Sequence, residues 1–153
     1  MNFAKGRVLS GDDVAKLKAA GVSSIVAARL DPDDMHEDEA AATLAKTLAG
    51  EGIEVEVIDL RSLFPYDFAA IKESVGRTNR LAVVNEDTEV TNFGEHLVRR
   101  TVEELFYELL APPRLLAGKF VPGIGLADPL EMASVPQLND IAAAMRAVAA
   151  EAP

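Results

Sequence analysis

Two hydrophobic periods alternate along this chain, and the alternation limits the folds open to it. Short apolar runs rich in β-branched residues occur at SSIVAARL (23–30), IEVEVIDL (53–60), RLAVVNED (80–87) and RLLAG (114–118). Each reads as a strand. Between and around them lie segments with helical spacing: SGDDVAKLKAAG from Ser10, HEDEAAATLAKTLAGEG from His36, FAAIKESVGR from Phe68, NFGEHLVRRTVEELFYELL from Asn92 and QLNDIAAAMRAVAA from Gln137. Punctuation residues agree with these bounds. Ser10 and Asp12 are capping residues ahead of the first helix, Asp67 can cap the third, Gly50 and Gly52 end the second, and Pro112 and Pro113 stop the fourth. IEVEVIDL begins with alternation and becomes wholly apolar, as a strand entering a sheet interior does. Alternating strands and helices predict a three-layer α/β/α arrangement with a mostly parallel sheet of four to five strands, in one domain spanning 1–153. The segment KFVPGIGLADPLEMASVP (119–136) reads as a loop.

Composition removes several classes of function. The 153 residues include 25 acidic and 15 basic ones, for a formal charge of −10. That balance argues against nucleic acid or an anionic membrane as partner, since phosphate binding needs a basic face. The chain has no cysteine, hence no disulfide, thiolate zinc site or cysteine nucleophile. No apolar run reaches the roughly 18 residues of a membrane span, and MNFAKGRVLSGDD lacks an apolar signal core. A cytoplasmic location is the expectation. No serine sits in a Gly-x-Ser-x-Gly elbow, which removes a common hydrolase arrangement.

Parallel sheets place ligands at the carboxyl ends of their strands, here 29–34, 59–64 and 85–94. The first of these ends opens LDPDDMHEDEAA, whose residues from Asp31 to Glu39 include six carboxylates and one of two histidines. A calcium loop needs ligands at alternate positions and a central glycine; this run has no glycine. Asp33 or Asp34 as N-cap, with Glu37, Asp38 and Glu39 in the first helical turn, accounts for it through the helix dipole. At the third end, Asn85–Asp87 is either a ligand or interface contact, or a solvated strand end or helix cap. Gly94 opens a helix, where free amides could hold an anion or a tight contact could be made. His96 has no sequence neighbour spaced to make it a metal ligand or acid–base group. Arg61, Phe64 and Tyr66 form an arginine-and-aromatic group suited to an interface, and the apolar loop carrying Phe120 and Ile124 suits one as well.

Two family resemblances follow from longer patterns. GIEVEVIDLRSLFPYDFAAIKESVGRTNRLAVVNED (52–87), then FGEHLVRR from Phe93, LAPPRLLAG and LEMASVPQLNDIAAAM, resemble the C-terminal transketolase-type domain of thiamine-diphosphate-dependent 2-oxo acid dehydrogenase beta subunits. The resemblance covers 50–150. It implies a domain that builds subunit contacts, the thiamine diphosphate and magnesium of the full-length enzymes lying in other domains. For this chain alone it implies no cofactor, no catalysis, and a homo-oligomer or a subunit partner. The implied contact surface takes in Arg61, Phe64, Tyr66, Asn85, Glu86, Phe93, Phe120 and Ile124. That family's Gly-Asp-Gly diphosphate motif is approached only by Gly11-Asp12-Asp13. Residues 1–49 instead resemble a segment of molybdopterin-binding proteins, through KGRVLS-DDVA-LKAAGV and the acidic stretch, although that family's pterin-phosphate loop has no match. Two unrelated segments meeting near Gly50 would make the chain a chimera of non-catalytic assembly domain and foreign βα unit. The alternatives are a divergent single-family chain and a ligand-binding module for the pterin cofactor.

Overall fold

The computed structural model describes residues 8–25 and 37–152. Most of SSIVAARL and of the acidic stretch, with its expected N-cap at Asp33 or Asp34, lies outside these residues. Helix α1 spans Gly11–Ala19. Its cap is Ser10 rather than Asp12: the Ser10 hydroxyl oxygen accepts from the Asp13 amide, and the Asp13 carboxylate accepts from the Ser10 amide. Helix α2, Glu37–Ala49, ends in a tight turn. There Ile53 N donates to Leu48 O and Gly52 N to Ala49 O, while Gly52 takes a left-handed φ of 81° that a side chain would oppose. Helix α3, Phe68–Thr78, starts under the expected cap, Asp67, whose carboxylate accepts from Ala70 N at 3.1 Å. Helix α4 runs Phe93–Leu105 and tightens into a 3₁₀ turn at Phe106–Glu108, so it is shorter than its sequence pattern suggests.

Strands β1 (Ala82–Thr88) and β2 (Arg114–Gly118) pair in parallel, with Ala82 opposite Arg114 and Thr88 opposite Gly118. The register shifts between Val84 and Thr88. Alternation along β1 sends neighbouring side chains to opposite faces. Val83 joins Phe68, Ile71, Val75, Leu97 and Leu105 in a core shared with α3 and α4. Ala82 faces the end of α6 (Leu138–Ala150), with Met145 and Val148 across a depression from it. Helices α4 and α6 both lie on the sheet, α4 accompanied by α3 and α6 by α2. Burying one such aliphatic or aromatic side chain contributes about 1.5–3 kcal/mol, which makes this cluster the main fastening of the fold.

The expectation of four to five strands is not met among the described residues, where the sheet has two. IEVEVIDL (53–60) has a strand's composition but no ladder. Val57 is 51% exposed, and the segment is held through side chains: Arg77 of α3 grips Glu56 with two hydrogen bonds of 2.9 and 2.8 Å. Apolar content alone does not make a strand; a backbone partner must be in place to accept its hydrogen bonds. The 119–136 segment, read as a loop from its turn formers, is partly helical. It contains the short helix α5, Asp128–Met132, and closes on itself where Lys119 N donates to Ser134 O at 2.8 Å.

Candidate interaction surface

Strand β1 delivers its carboxyl end to a compact hydrogen-bonded junction. Asn92, buried, caps α4 by accepting from Glu95 N at 3.0 Å, and its amide donates to Thr88 O at 2.6 Å. Asn85 donates to Asn92 Oδ1 at 3.2 Å and accepts from Asp87 N. The Glu95 carboxylate accepts from Thr91 N at 2.7 Å. The N-terminus of α4 is thus closed by its own side chains. Gly94 has no room for an anion: a Cβ there would meet Leu115 Cδ1 at 2.5 Å and Asn92 Oδ1 at 2.8 Å. Asn85, a candidate contact residue, serves this junction, whereas Glu86 beside it is exposed.

The loop before α3 is braced at both ends. Arg61, at a left-handed φ of 53°, pairs with Asp59 at 2.9 Å and with Asp38 of α2 at 3.2 Å. Tyr66 is half-buried, edge-on to Phe68, Phe93 and His96. Its hydroxyl lies 2.6 Å from His96 Nε2 and accepts from Arg100 Nη1 at 2.8 Å. Arg100 in turn covers the Phe68 ring at 3.8 Å and pairs with Glu104 at 2.7 Å. The Tyr66 hydroxyl and then Glu104 hold the Arg100 guanidinium more firmly protonated; Arg100 and then Lys72 lower the Glu104 carboxyl. His96 therefore has a close partner, 30 residues away in sequence, that spacing along its own helix does not reveal. Between the two braces Phe64 stands 92% exposed, with Leu63 beside it. Tyr66 and Phe93 were expected at a contact surface, but both pack against the core: Tyr66 holds the loop and Phe64 is displayed by it.

Gly11-Asp12-Asp13 does not form a diphosphate loop. It is the first turn of α1, and Asp13 is 3% exposed with its carboxylate on Ser10. These residues do not fit magnesium diphosphate. Among the described residues no three His, Asp or Glu converge as a metal site, and no helix is long and apolar enough to cross a membrane.

The 119–136 loop adds more exposed apolar surface. Phe120 and Ile124 are exposed as expected, joined by Leu126 (100%), Leu130 and Met132, which the turn-forming residues around them obscured in the sequence. Glu89 anchors the loop, its carboxylate accepting from Phe120 N and its amide donating to Gly118 O. At the opposite end of the sheet Phe106 and the 98% exposed Tyr107 stack edge to face.

The described residues thus form an α/β domain with a parallel strand pair, a helix N-terminus capped by its own side chains, and exposed apolar side chains beyond the carboxyl end of the sheet. Comparison makes this specific: the chain belongs to the transketolase C-terminal domain family, whose model matches residues 37–141. It is 42% identical over 106 residues to pyruvate dehydrogenase E1 component subunit beta-2, mitochondrial, of Oryza sativa subsp. japonica, a match covering 69% of this chain and 28% of that protein. It is 36% identical to the corresponding beta subunit of Rhizobium meliloti, covering 71% and 23%. The 2-oxoisovalerate dehydrogenase subunit beta of Bacillus subtilis is 31% identical, covering 71% and 33%. The chain thus spans about a quarter to a third of the length of these relatives. The match begins at Glu37, so it takes in α2, which the sequence reading assigned to the other segment.

Proposed function

We propose that this chain is a non-catalytic assembly domain that contributes a contact surface to a larger complex. The observation that carries the reading is that the chain matches the transketolase C-terminal domain family and only about a quarter to a third of the length of proteins named as beta subunits, together with the exposed apolar set at the carboxyl end of the sheet. The partner on this reading is another subunit. On this reading thiamine diphosphate and magnesium are held elsewhere in the assembly, which agrees with Asp13 being turned back onto Ser10 in the first turn of α1. The pterin-cofactor alternative finds no support in the comparisons. The segment before Glu37 is of separate origin on this reading, which moves the join from Gly50 to a point ahead of α2.

The test is turnover. Purified chain supplied with pyruvate or 2-oxoisovalerate, thiamine diphosphate and magnesium is expected to release no carbon dioxide above the protein-free rate. Thiamine-dependent decarboxylation would reject the proposal. For the join, residues 1–36 and 37–153 can be matched separately against genomes; one natural gene family matching both along their full length would reject separate origins.

A further inference from the structure

We infer that the depression between the 53–55 segment, the start of β1 and the end of α6 binds a medium-chain aliphatic monocarboxylate, with the ligand's carboxylate on Arg80. This site goes beyond the assembly reading and does not depend on it. Arg80 stands apart from the other arginines. Among the described residues, Arg61, Arg77, Arg99, Arg100, Arg114 and Arg146 each pair with an aspartate or glutamate, and Arg80 pairs with none. With 25 acidic residues in the chain, anions are not scarce. Arg80 touches Glu151 only through the backbone: its Nη2 donates to Glu151 O at 2.9 Å, while the Glu151 carboxylate is taken by Arg114 at 3.0 Å. Arg80 Nη1 is buried and has no hydrogen-bond partner among the described residues. A buried cationic donor without an acceptor is costly, and a ligand carboxylate supplies the acceptor that a guanidinium fits best. The rest of the depression defines the other end of the ligand. Its volume is about 400 Å³, and Ile53, Val55, Leu81, Met145 and Val148 give it apolar walls. That is the small end of the roughly 300–1,000 Å³ of ligand clefts, which suits an apolar chain of about six to eight carbons. The space stays open because the 53–60 segment is tied down by the Glu56–Arg77 contact and not by a strand ladder. Glu54 also lines the depression and is exposed. A second carboxylate on the ligand would meet that charge, so the site selects a monocarboxylate over a dicarboxylate.

The probe is octanoate, titrated into the whole chain by calorimetry, with octylamine and the dicarboxylate suberate as controls. Saturable octanoate binding in the millimolar range is expected, with suberate several-fold weaker and octylamine inert. Arg80→Gln should weaken octanoate roughly tenfold or more, the usual loss when a charge-assisted pair is removed. That variant also lacks the Glu151 contact, so Met145→Trp, which keeps Arg80 and fills the depression, is made beside it; it should weaken octanoate as well. Circular dichroism verifies that both variants fold, and octanoate should raise the thermal midpoint of the wild type but not of either variant. Absence of saturable octanoate binding would overturn the inference. So would unchanged affinity in Met145→Trp or in folded Arg80→Gln, which would place the binding elsewhere on the molecule. Octylamine binding as well as octanoate would overturn the assignment of the ligand's head group to Arg80, and suberate binding as well as octanoate would overturn the selection by Glu54. None of these outcomes bears on the turnover test, which concerns 2-oxo acid decarboxylation alone.

Discussion

Thr101 is fully buried in α4, and its hydroxyl has no hydrogen-bond partner among the described residues. A buried polar group without a partner costs roughly 1–3 kcal/mol relative to a satisfied one. Thr101→Val replaces the hydroxyl by a methyl of similar size and is expected to raise stability by about 1 kcal/mol in urea unfolding; a loss of stability would show that the hydroxyl is bonded. Glu56 gives a pH prediction. The Arg77 guanidinium, and secondarily Ser74, lower its pKa from 4.5 to about 2. A folded-state pKa below the unfolded value stabilises the fold above pH 4.5, and that contribution is lost as pH falls toward 2. In Glu56→Gln the slope of stability against pH between 2 and 4.5 should therefore flatten relative to wild type. An identical slope would mean that the pair does not form. His96 shows what sequence conceals at this scale. Its partner Tyr66 arrives from another element, and only tertiary packing creates a 2.6 Å contact across 30 residues.

Helices were more legible than strands, for a local reason. Asp67 caps α3, and apolar spacing buries Phe68, Ile71 and Val75; all of the information for that element lies within it. The same holds for α6, where Gln137 and Asp140 form the capping box that opens the helix. A strand's defining bonds are made to another strand. IEVEVIDL carries the right residues, yet among the described residues it pairs with nothing and is tied down by Glu56 instead. RLLAG, five residues and less conspicuous, becomes β2 because β1 lies beside it. Its last residue is constrained most. A Cβ on Gly118 would come within 2.6 Å of Glu86 O, a backbone atom that cannot swing away. Gly118→Ala should cost roughly 2–3 kcal/mol in chemical denaturation through overpacking. A cost below 0.5 kcal/mol would mean that β1 and β2 separate easily at this end.

The charge of the whole molecule sets its response to salt. Among the described residues, ion pairs such as Arg99–Glu103 and Arg146–Glu51 are exposed, and exposed pairs contribute about 0–1 kcal/mol each. Ten uncompensated negative charges repel one another over the entire surface. Screening weakens both effects, but the repulsion has no geometric partner to lose. The thermal midpoint is therefore expected to rise between about 10 mM and 300 mM sodium chloride, as the screening length shrinks from roughly 30 Å to under 10 Å. A falling midpoint would show that the ion pairs dominate. The candidate surface was legible only in outline. Phe64, Glu86, Phe120 and Ile124 proved exposed, while Tyr66, Phe93 and Asn85 turned inward. Hydrophobicity and charge nominate residues for a surface, but the packing of neighbours decides which way each one faces.

The Lys119–Ser134 hydrogen bond brings the two ends of the apolar loop together on the frame of the domain. A segment that leaves and returns at one place is exchangeable: its length and composition can change while β2 and α6 keep their positions. Closing a longer loop of this kind costs little, with each doubling of length adding only about 0.6 kcal/mol. The core and this loop are thus separable parts of the fold: a loop of another length can stand between β2 and α6 without disturbing the packing of Phe68, Ile71, Val75, Val83, Leu97 and Leu105.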